Sequence, residues 1–84
     1  MVYIFHNDPG HGWLEVTRAE LVRLGILNQI SHCSYQRGDK VYLEEDCDAT
    51  LFVETKKALG EEMTFDDQYK ENTPIRNYQP FSPV

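Results

Sequence analysis

The stretch that decides the fold runs from residue 13 to residue 20 and reads Trp13-Leu14-Glu15-Val16-Thr17-Arg18-Ala19-Glu20. Its first half is rich in residues that favour strands. Its second half has the Thr-x-x-Glu pattern of a helix capping box, in which the threonine hydroxyl accepts from the amide three residues on and the glutamate reaches back. The stretch therefore predicts a strand that passes directly into a helix. Gly25 predicts the end of that helix, since glycine readily adopts the left-handed conformation found there.

Similar elements are predicted on both sides of this stretch. Val2-Tyr3-Ile4-Phe5 predicts a strand, and the polar run before Trp13 predicts the turn of a hairpin. The second half of the chain repeats the order. It contains a strand candidate in residues 31–37, a tight turn at Gly38-Asp39, a strand at residues 40–44, and a helix from Asp46 or Asp48 to about Leu59.

The expected fold is α+β, with a small antiparallel sheet and the order ββαββα. Both helices have an apolar stripe, and packing them on one face of the sheet would bury both stripes. Residues 1–69 are expected to form a single domain whose last part is an edge strand. Residues 70–84 contain three prolines and predict a partly extended tail, because proline interrupts helices.

The length and composition restrict the class of protein. A chain of 84 residues makes one domain, and its content of 40% apolar and 12% aromatic residues is typical of a folded chain. No apolar run approaches the roughly 20 residues that cross a bilayer, and the N-terminus lacks the features of a signal peptide. The expected location is the cytoplasm, where Cys33 and Cys47 are predicted to be free thiols.

The negative charge is concentrated in the second half of the chain. The net charge is −6, yet residues 1–42 contain four acids and four bases. Residues 43–72 contain ten acids and three bases, for a net charge of −7. This distribution disfavours direct binding to nucleic acid, which needs a basic surface. It favours a protein partner with a basic surface.

Two acidic segments are the candidate partner-binding residues. The eight carboxylates are Glu44, Glu45, Asp46, Asp48, Glu61, Glu62, Asp66 and Asp67. Those at residues 44–48 also have two other interpretations. Acids at the start of a helix cap its free amides, and clustered carboxylates are oxygen ligands for a hard cation such as Mg²⁺.

The run Asp8-Pro9-Gly10-His11-Gly12 resembles one found in zinc-dependent N-acetylmuramoyl-L-alanine amidases, where its histidine binds the metal. The resemblance covers five residues, and the glutamate and second histidine expected further along are missing. A catalytic zinc site usually has three protein ligands, and motifs count only in their structural context. The run is therefore interpreted as a turn. A metal-binding or hydrolytic protein that uses His6 and His11, with Asp8 or Asp46, is the alternative hypothesis, and zinc or magnesium would be its cofactor.

A broader resemblance covers about residues 3–60. Residues 6–26 (HNDPGHGWLEVTRAELVRLGI), residues 30–35 (ISHCSY) and residues 42–52 (YLEEDCDATLF) resemble a group of small uncharacterised proteins of bacteriophages, prophages and plasmids. The resemblance implies a mobile-element origin and an accessory role, and it assigns no catalytic residue.

The leading prediction combines charge and resemblance. It is a small acidic accessory protein that occupies a basic surface on a host protein, such as one that handles nucleic acid. It would bind neither nucleic acid nor membranes directly, and binding is favoured over enzymatic activity. A homodimer formed by edge-strand pairing is a further hypothesis.

Overall fold

The computed structural model describes all 84 residues. It has two α-helices, two 3-10 helices and one mixed sheet of six strands in the order β5-β1-β2-β4-β3-β6. In chain order the elements are β1 (Val2–Asn7), β2 (Gly12–Thr17), α1 (Arg18–Arg23), a 3-10 helix (Leu27–Gln29), β3 (Tyr35–Arg37), β4 (Lys40–Glu44), α2 (Asp48–Ala58), β5 (Thr64–Tyr69), a second 3-10 helix (Pro74–Asn77) and β6 (Gln79–Pro80). The predicted α+β class is confirmed.

The first hairpin forms where the sequence predicts it. β1 and β2 pair antiparallel, and the Asp8 amide closes their turn by donating to the His11 carbonyl at 2.9 Å. The Asp8 carboxylate accepts from the amides of Gly10 and His11 at 2.9 and 2.8 Å. Gly12 is needed for close packing, because a Cβ there would lie 2.5 Å from the Phe5 ring. The glycine-rich run is therefore a structural turn.

The capping pattern correctly locates the start of α1. Thr17 Oγ1 accepts from the Glu20 amide at 3.2 Å. Gly25 follows the helix with a φ of 73°, which glycine adopts without strain. Glu20 has a different partner from the one predicted, because its carboxylate accepts from the Tyr3 hydroxyl and from Lys56. Long-range contacts have replaced the second half of the capping box.

The start of α2 differs from the prediction. Neither predicted acid caps this helix, because its N-cap residue is Cys47 and no side chain bonds to the free amides. The Asp48 carboxylate instead accepts from Ser31 and Ser34. Ser31 and Ser34 belong to a turn, so β3 begins only at Tyr35 and is shorter than predicted.

The prediction of a wholly antiparallel sheet is wrong. β5 is an edge strand, as expected, but it pairs parallel to β1, from Val2↔Thr64 to Asn7↔Tyr69. The chain leaves α2 and returns beside the N-terminus of β1, where the Thr64 amide donates to the Met1 carbonyl at 3.1 Å. Starting at the same end, the two strands run in the same direction. The predicted order ββαββα describes residues 1–58 but lacks β5 and β6.

Residues 70–84, predicted as a partly extended tail outside the domain, lie against the sheet. β6 pairs antiparallel with β3, and the Phe81 amide donates to the Ser34 carbonyl at 2.8 Å. The side chains of Ile75 and Phe81 are buried. This segment is short of regular structure, but its apolar side chains cover sheet surface that would otherwise face water.

The sheet is covered on both faces. On one face, α1 and α2 contribute Leu21 and Phe52 to a cluster with strand residues such as Leu14 and Leu43. This confirms that both helices pack on one face. On the other face, Trp13, Tyr42 and Ile75 form a smaller cluster. No helix is both long and apolar enough to cross a bilayer, and α2, the longest, has 11 residues.

Candidate functional site

His11 is anchored within the hairpin turn. Its Nδ1 lies 3.0 Å from Arg76 Nη2, and its ring stacks on Trp13 with the centroids 5.9 Å apart. Arg76 also donates to both carboxylate oxygens of Asp8, at 2.6 and 3.0 Å. These hydrogen bonds from Arg76 hold the pKa of Asp8 well below its usual range, although desolvation opposes the shift. The turn is therefore fastened to the C-terminal segment by an ion pair.

His6 has different partners from His11. Its Nε2 lies 2.8 Å from Glu15 Oε1, and its ring packs at 5.7 Å against that of Tyr42. No group of three or more His, Cys, Asp or Glu side chains is arranged to hold a metal ion. The two histidines proposed as metal ligands are thus engaged in separate contacts.

Residues 44–48 are partly internal. The side chain of Asp48 is buried, and its oxygens accept from the Ser31 amide at 3.1 Å, from the Ser31 hydroxyl at 2.9 Å, and from the Ser34 hydroxyl. Glu44 is also buried and accepts from the Asp46 amide at 2.8 Å. Glu44 and Asp48 therefore stabilise the fold through internal hydrogen bonds. The exposed carboxylates of this segment are those of Glu45 and Asp46.

Glu61 is tied into an ion-pair network. It accepts from Arg23 at 2.8 and 2.9 Å and from Lys56 at 2.9 Å. The hydrogen bonds from Arg23, followed by that from Lys56, lower the pKa of Glu61 to about 2. Lys56 is buried and also lies 3.3 Å from Glu20. Because Arg23 and Lys56 offset its charge, Glu61 adds little to the electrostatic attraction of a basic partner.

The remaining acids of the second segment are exposed. Glu62 lies between α2 and β5, and Asp66 and Asp67 lie on β5. Adjacent strand residues point to opposite faces, so Asp66 and Asp67 present their charges on different sides of the sheet. In the parallel register Asp67 is opposite Phe5, which packs against the helix-covered core. Asp67 therefore lies on the helix side.

A surface groove of about 480 Å³ brings the two acidic segments together. Its lining contains Glu45 and Asp67, together with apolar side chains of the sheet and of α2 that include Phe5, Val53 and Phe65. No basic residue lines it. The groove thus combines an apolar surface with two carboxylates that are far apart in the chain.

The groove adjoins a free sheet edge. β5 is paired only with β1, and all six of its residues are exposed. The amides of Thr64 and Lys70 donate to carbonyls of β1 or its flanking residue. In a parallel pair, alternate residues direct their amide and carbonyl to the same neighbour. The backbone groups of Phe65, Asp67 and Tyr69 consequently face away from the sheet.

Sequence reasoning identified Glu45 and Asp67 but missed the apolar part of the groove. Phe65 and Tyr69, which are 46% and 61% exposed, are the unusual feature of β5. Large exposed aromatics on an edge strand are a signal for a binding surface. The sequence contains this signal in the run Thr64-Phe65-Asp66-Asp67-Gln68-Tyr69.

Comparison with family models, with curated proteins and with solved structures returned no match to this chain.

Proposed function

We propose that this chain is a small acidic protein-binding protein that recognises a basic, extended segment of a partner along β5. The observation that carries the proposal is the groove with Glu45 and Asp67, which adjoins the free edge of β5. An extended peptide can add a strand to such an edge, with main-chain hydrogen bonds for affinity and side-chain contacts for specificity.

The backbone of β5 supplies the first part of this recognition. The outward amides and carbonyls of Phe65, Asp67 and Tyr69 are spaced to pair with a seventh strand. Alternate side chains of that strand would lie over the groove, where Phe65 and Val53 offer apolar contacts. The occupant is thus an extended segment with apolar residues at alternate positions.

Charge supplies the second part. Glu45 and Asp67 line the groove, while Glu62, between α2 and β5, and Asp66, on the opposite face of β5, add negative charge beside the same strand. Complementary charge speeds encounter and excludes acidic partners. Lysine or arginine residues two positions before and after the apolar residues share their face of the extended segment and would meet these carboxylates. The mobile-element origin that the sequence resemblance implies would make a host protein the source of this segment.

A defined peptide tests the proposal. The probe is an extended peptide in which two valines at alternate positions are flanked, two residues away on each side, by lysine, with threonine at the positions between; a peptide in which glutamate replaces lysine is its control. We expect the lysine peptide alone to shift amide signals of β5 and α2 in NMR spectra. Binding should weaken between low salt and 0.15 M salt, where the screening length falls to about 8 Å. Equal binding of both peptides would contradict the proposal.

Paired variants separate local contacts from net charge. Glu45→Gln with Asp67→Asn should weaken binding roughly tenfold, or about 1.4 kcal/mol. Glu54→Gln with Asp39→Asn makes the same change in net charge at exposed positions outside the groove, and it should have little effect. Equal losses in the two pairs would indicate a diffuse charge effect and would overturn the groove as the site.

The contribution of the strand edge can be measured at Tyr69. Tyr69→Pro removes an outward amide, and Tyr69→Ala removes the same side chain but keeps that amide. We expect the proline variant to bind the peptide more weakly than the alanine variant. Light scattering without peptide tests whether a second copy of this chain occupies the edge instead. A stable dimer that Tyr69→Pro dissociates would assign the edge to a second copy of this chain.

A further inference from the structure

Two free thiols line a second cavity. Cys33 and Cys47 lie in different turns, before β3 and before α2, yet both line a cavity of about 420 Å³ together with Trp13 and Glu44. Both cysteines are exposed, so a reactant in solution can reach them. Their common position is a product of the fold, because the hairpin of β3 and β4 separates them in the chain.

A buried carboxylate holds the two cysteine segments together. Asp48 accepts from the amide and hydroxyl of Ser31 at 3.1 and 2.9 Å, and it also accepts from the Ser34 hydroxyl. Ser31 and Ser34 flank Cys33 in the chain, and Cys47 immediately precedes Asp48. The carboxylate therefore fastens the turn that contains Cys33 to the start of the helix that follows Cys47.

The Cys47 thiol shares this cavity with the Glu44 carboxylate and the Cys33 thiol. The hydrogen bond to Glu44, then desolvation and the neighbouring Cys33, raise the pKa of the Cys47 thiol to about 11. Cys47 thus stays protonated at neutral pH. A low thiol pKa stabilises the reduced form of a dithiol and therefore opposes its oxidation. Because the pKa of Cys47 is raised, this stabilisation of the reduced form is absent here.

We propose that Cys33 and Cys47 form a reversible dithiol–disulfide pair whose oxidant is a low-molecular-weight disulfide such as oxidised glutathione. The Cys33 thiolate attacks one sulfur of the small disulfide, whose S–S bond breaks and releases one thiolate. Cys47 then gives its proton to solvent, its sulfur attacks that of Cys33, and the second small thiol leaves. Two electrons pass from the protein to the small disulfide, which becomes two thiols.

Oxidation changes the molecule at two places. The bond closes a ring through residues 33–47, which contains the β3–β4 hairpin, and so restricts the unfolded chain more than the folded one. It also removes the S–H group beside Glu44, a buried carboxylate whose other donor is the Asp46 amide. Loss of this hydrogen-bond donor destabilises the oxidised form, so a low-molecular-weight thiol such as reduced glutathione can reduce the disulfide again.

The test uses the full chain in buffers of reduced and oxidised glutathione, followed by alkylation and mass spectrometry. We expect a wild-type product that has lost one hydrogen per cysteine and carries no glutathione. Cys47→Ser should instead accumulate a glutathione adduct at Cys33, with circular dichroism confirming its fold. The oxidised wild type should melt roughly 5–15 °C above the reduced form. A wild type that stays reduced, or that carries the same adduct as Cys47→Ser, would overturn the proposal.

Glu44→Gln provides an independent check without removing either thiol. Loss of the neighbouring charge should lower the pKa of Cys47 and speed closure of the mixed disulfide at neutral pH. Glu54→Gln, at an exposed acid of α2 outside the cavity, should leave the closure rate unchanged. Equal closure rates in wild type and Glu44→Gln would exclude contact between Cys47 and Glu44 during the reaction.

Discussion

The two acidic segments, residues 44–48 and residues 61–67, contain four carboxylates each, but the fold uses them differently. In the first segment, Glu44 and Asp48 are buried and accept hydrogen bonds from the protein. In the second segment, Asp66 and Asp67 lie exposed on the sheet edge. A count of acids therefore overstates the charge that residues 44–48 offer to a partner.

The difference follows from the number of donors nearby. A buried carboxylate is costly unless hydrogen bonds replace its water. Residues 44–48 connect the end of β4 to α2 and lie against the turn of Ser31 and Ser34, whose amide and hydroxyl groups supply donors. Residues 64–67 lie on an edge strand with only β1 beside them, and their side chains remain in water.

The largest expected effect comes from breaking the internal use of the first segment. Asp48→Ala leaves the Ser31 amide and hydroxyl and the buried Ser34 hydroxyl without their acceptor. Unsatisfied donors and the lost charged hydrogen bonds should reduce the free energy of unfolding by about 3 kcal/mol. Urea denaturation followed by the fluorescence of Trp13 measures this loss.

Asp66→Ala is the matched control for that variant, because it removes an exposed aspartate of the second segment. It should change the free energy of unfolding by less than about 0.5 kcal/mol. Similar losses for Asp48→Ala and Asp66→Ala would contradict the distinction between an internal and a surface segment.

Glu61 is the exception within the second segment, and its partner Lys56 gives the next largest effect. Lys56→Met keeps much of the packing against the rings of Tyr3 and Phe52 but removes the charge shared by Glu20 and Glu61. Leaving partly buried Glu20 with fewer donors should cost about 2 kcal/mol of stability. Chemical denaturation measures it.

Lys57→Met tests whether the position of the charge matters. Lys57 is the exposed neighbour of Lys56 on α2, and it makes no ion pair. Its replacement should leave stability within about 0.5 kcal/mol of the wild type. If the two methionine variants are equally stable, the network around Glu61 contributes nothing and the second segment is uniform.

The pH dependence of stability gives a smaller effect at the same network. The pKa of Glu61 is lowered from 4.5 to about 2, first by Arg23 and then by Lys56. The folded state therefore binds this proton less readily than the unfolded state. The resulting stability is present above about pH 4.5 and is lost as the pH falls toward 2.

Glu61→Gln removes this titration and should flatten the dependence of Tm on pH between 4.5 and 2. At neutral pH the variant should melt below the wild type, and the two curves should converge in acid. Asp8, whose pKa is also lowered, pairs with Arg76 outside this network and contributes equally to both curves. Melting curves measured by circular dichroism at each pH supply the comparison. Parallel curves would show that Glu61 titrates alike in both states.

The features that the sequence predicted are those fixed by neighbours in the chain. Thr17 caps α1 from three residues away, and the Asp8 turn closes within its own loop. The parallel pairing of β5 had no such signal, because the polar run of β5 lacks the alternation of a half-buried strand. Its partner is the first strand of the chain, and only tertiary packing brings the two together.

The candidate site was predictable only in part for the same reason. Charge pointed to both acidic segments, but the groove places Glu45 beside Asp67, which belongs to the other segment. Asp48 is also buried whereas the nearest neighbouring acids are exposed, and no local sequence pattern predicts this difference. The common cavity of Cys33 and Cys47 likewise depends on hydrogen bonds made through Asp48 across the fold.

The smallest expected effect is at the exposed acids of the second segment. Glu62→Gln with Asp66→Asn removes two charges that form no ion pair, so the free energy of unfolding should stay within about 0.5 kcal/mol of the wild type. Reduced repulsion between neighbouring acids gives any change a stabilising sign at low salt. Denaturation at low and at 1 M salt measures both points. A loss above about 1 kcal/mol in the free energy of unfolding would mean that the fold depends on these carboxylates. Side chains that stabilise the fold in this way would not be available to bind a partner.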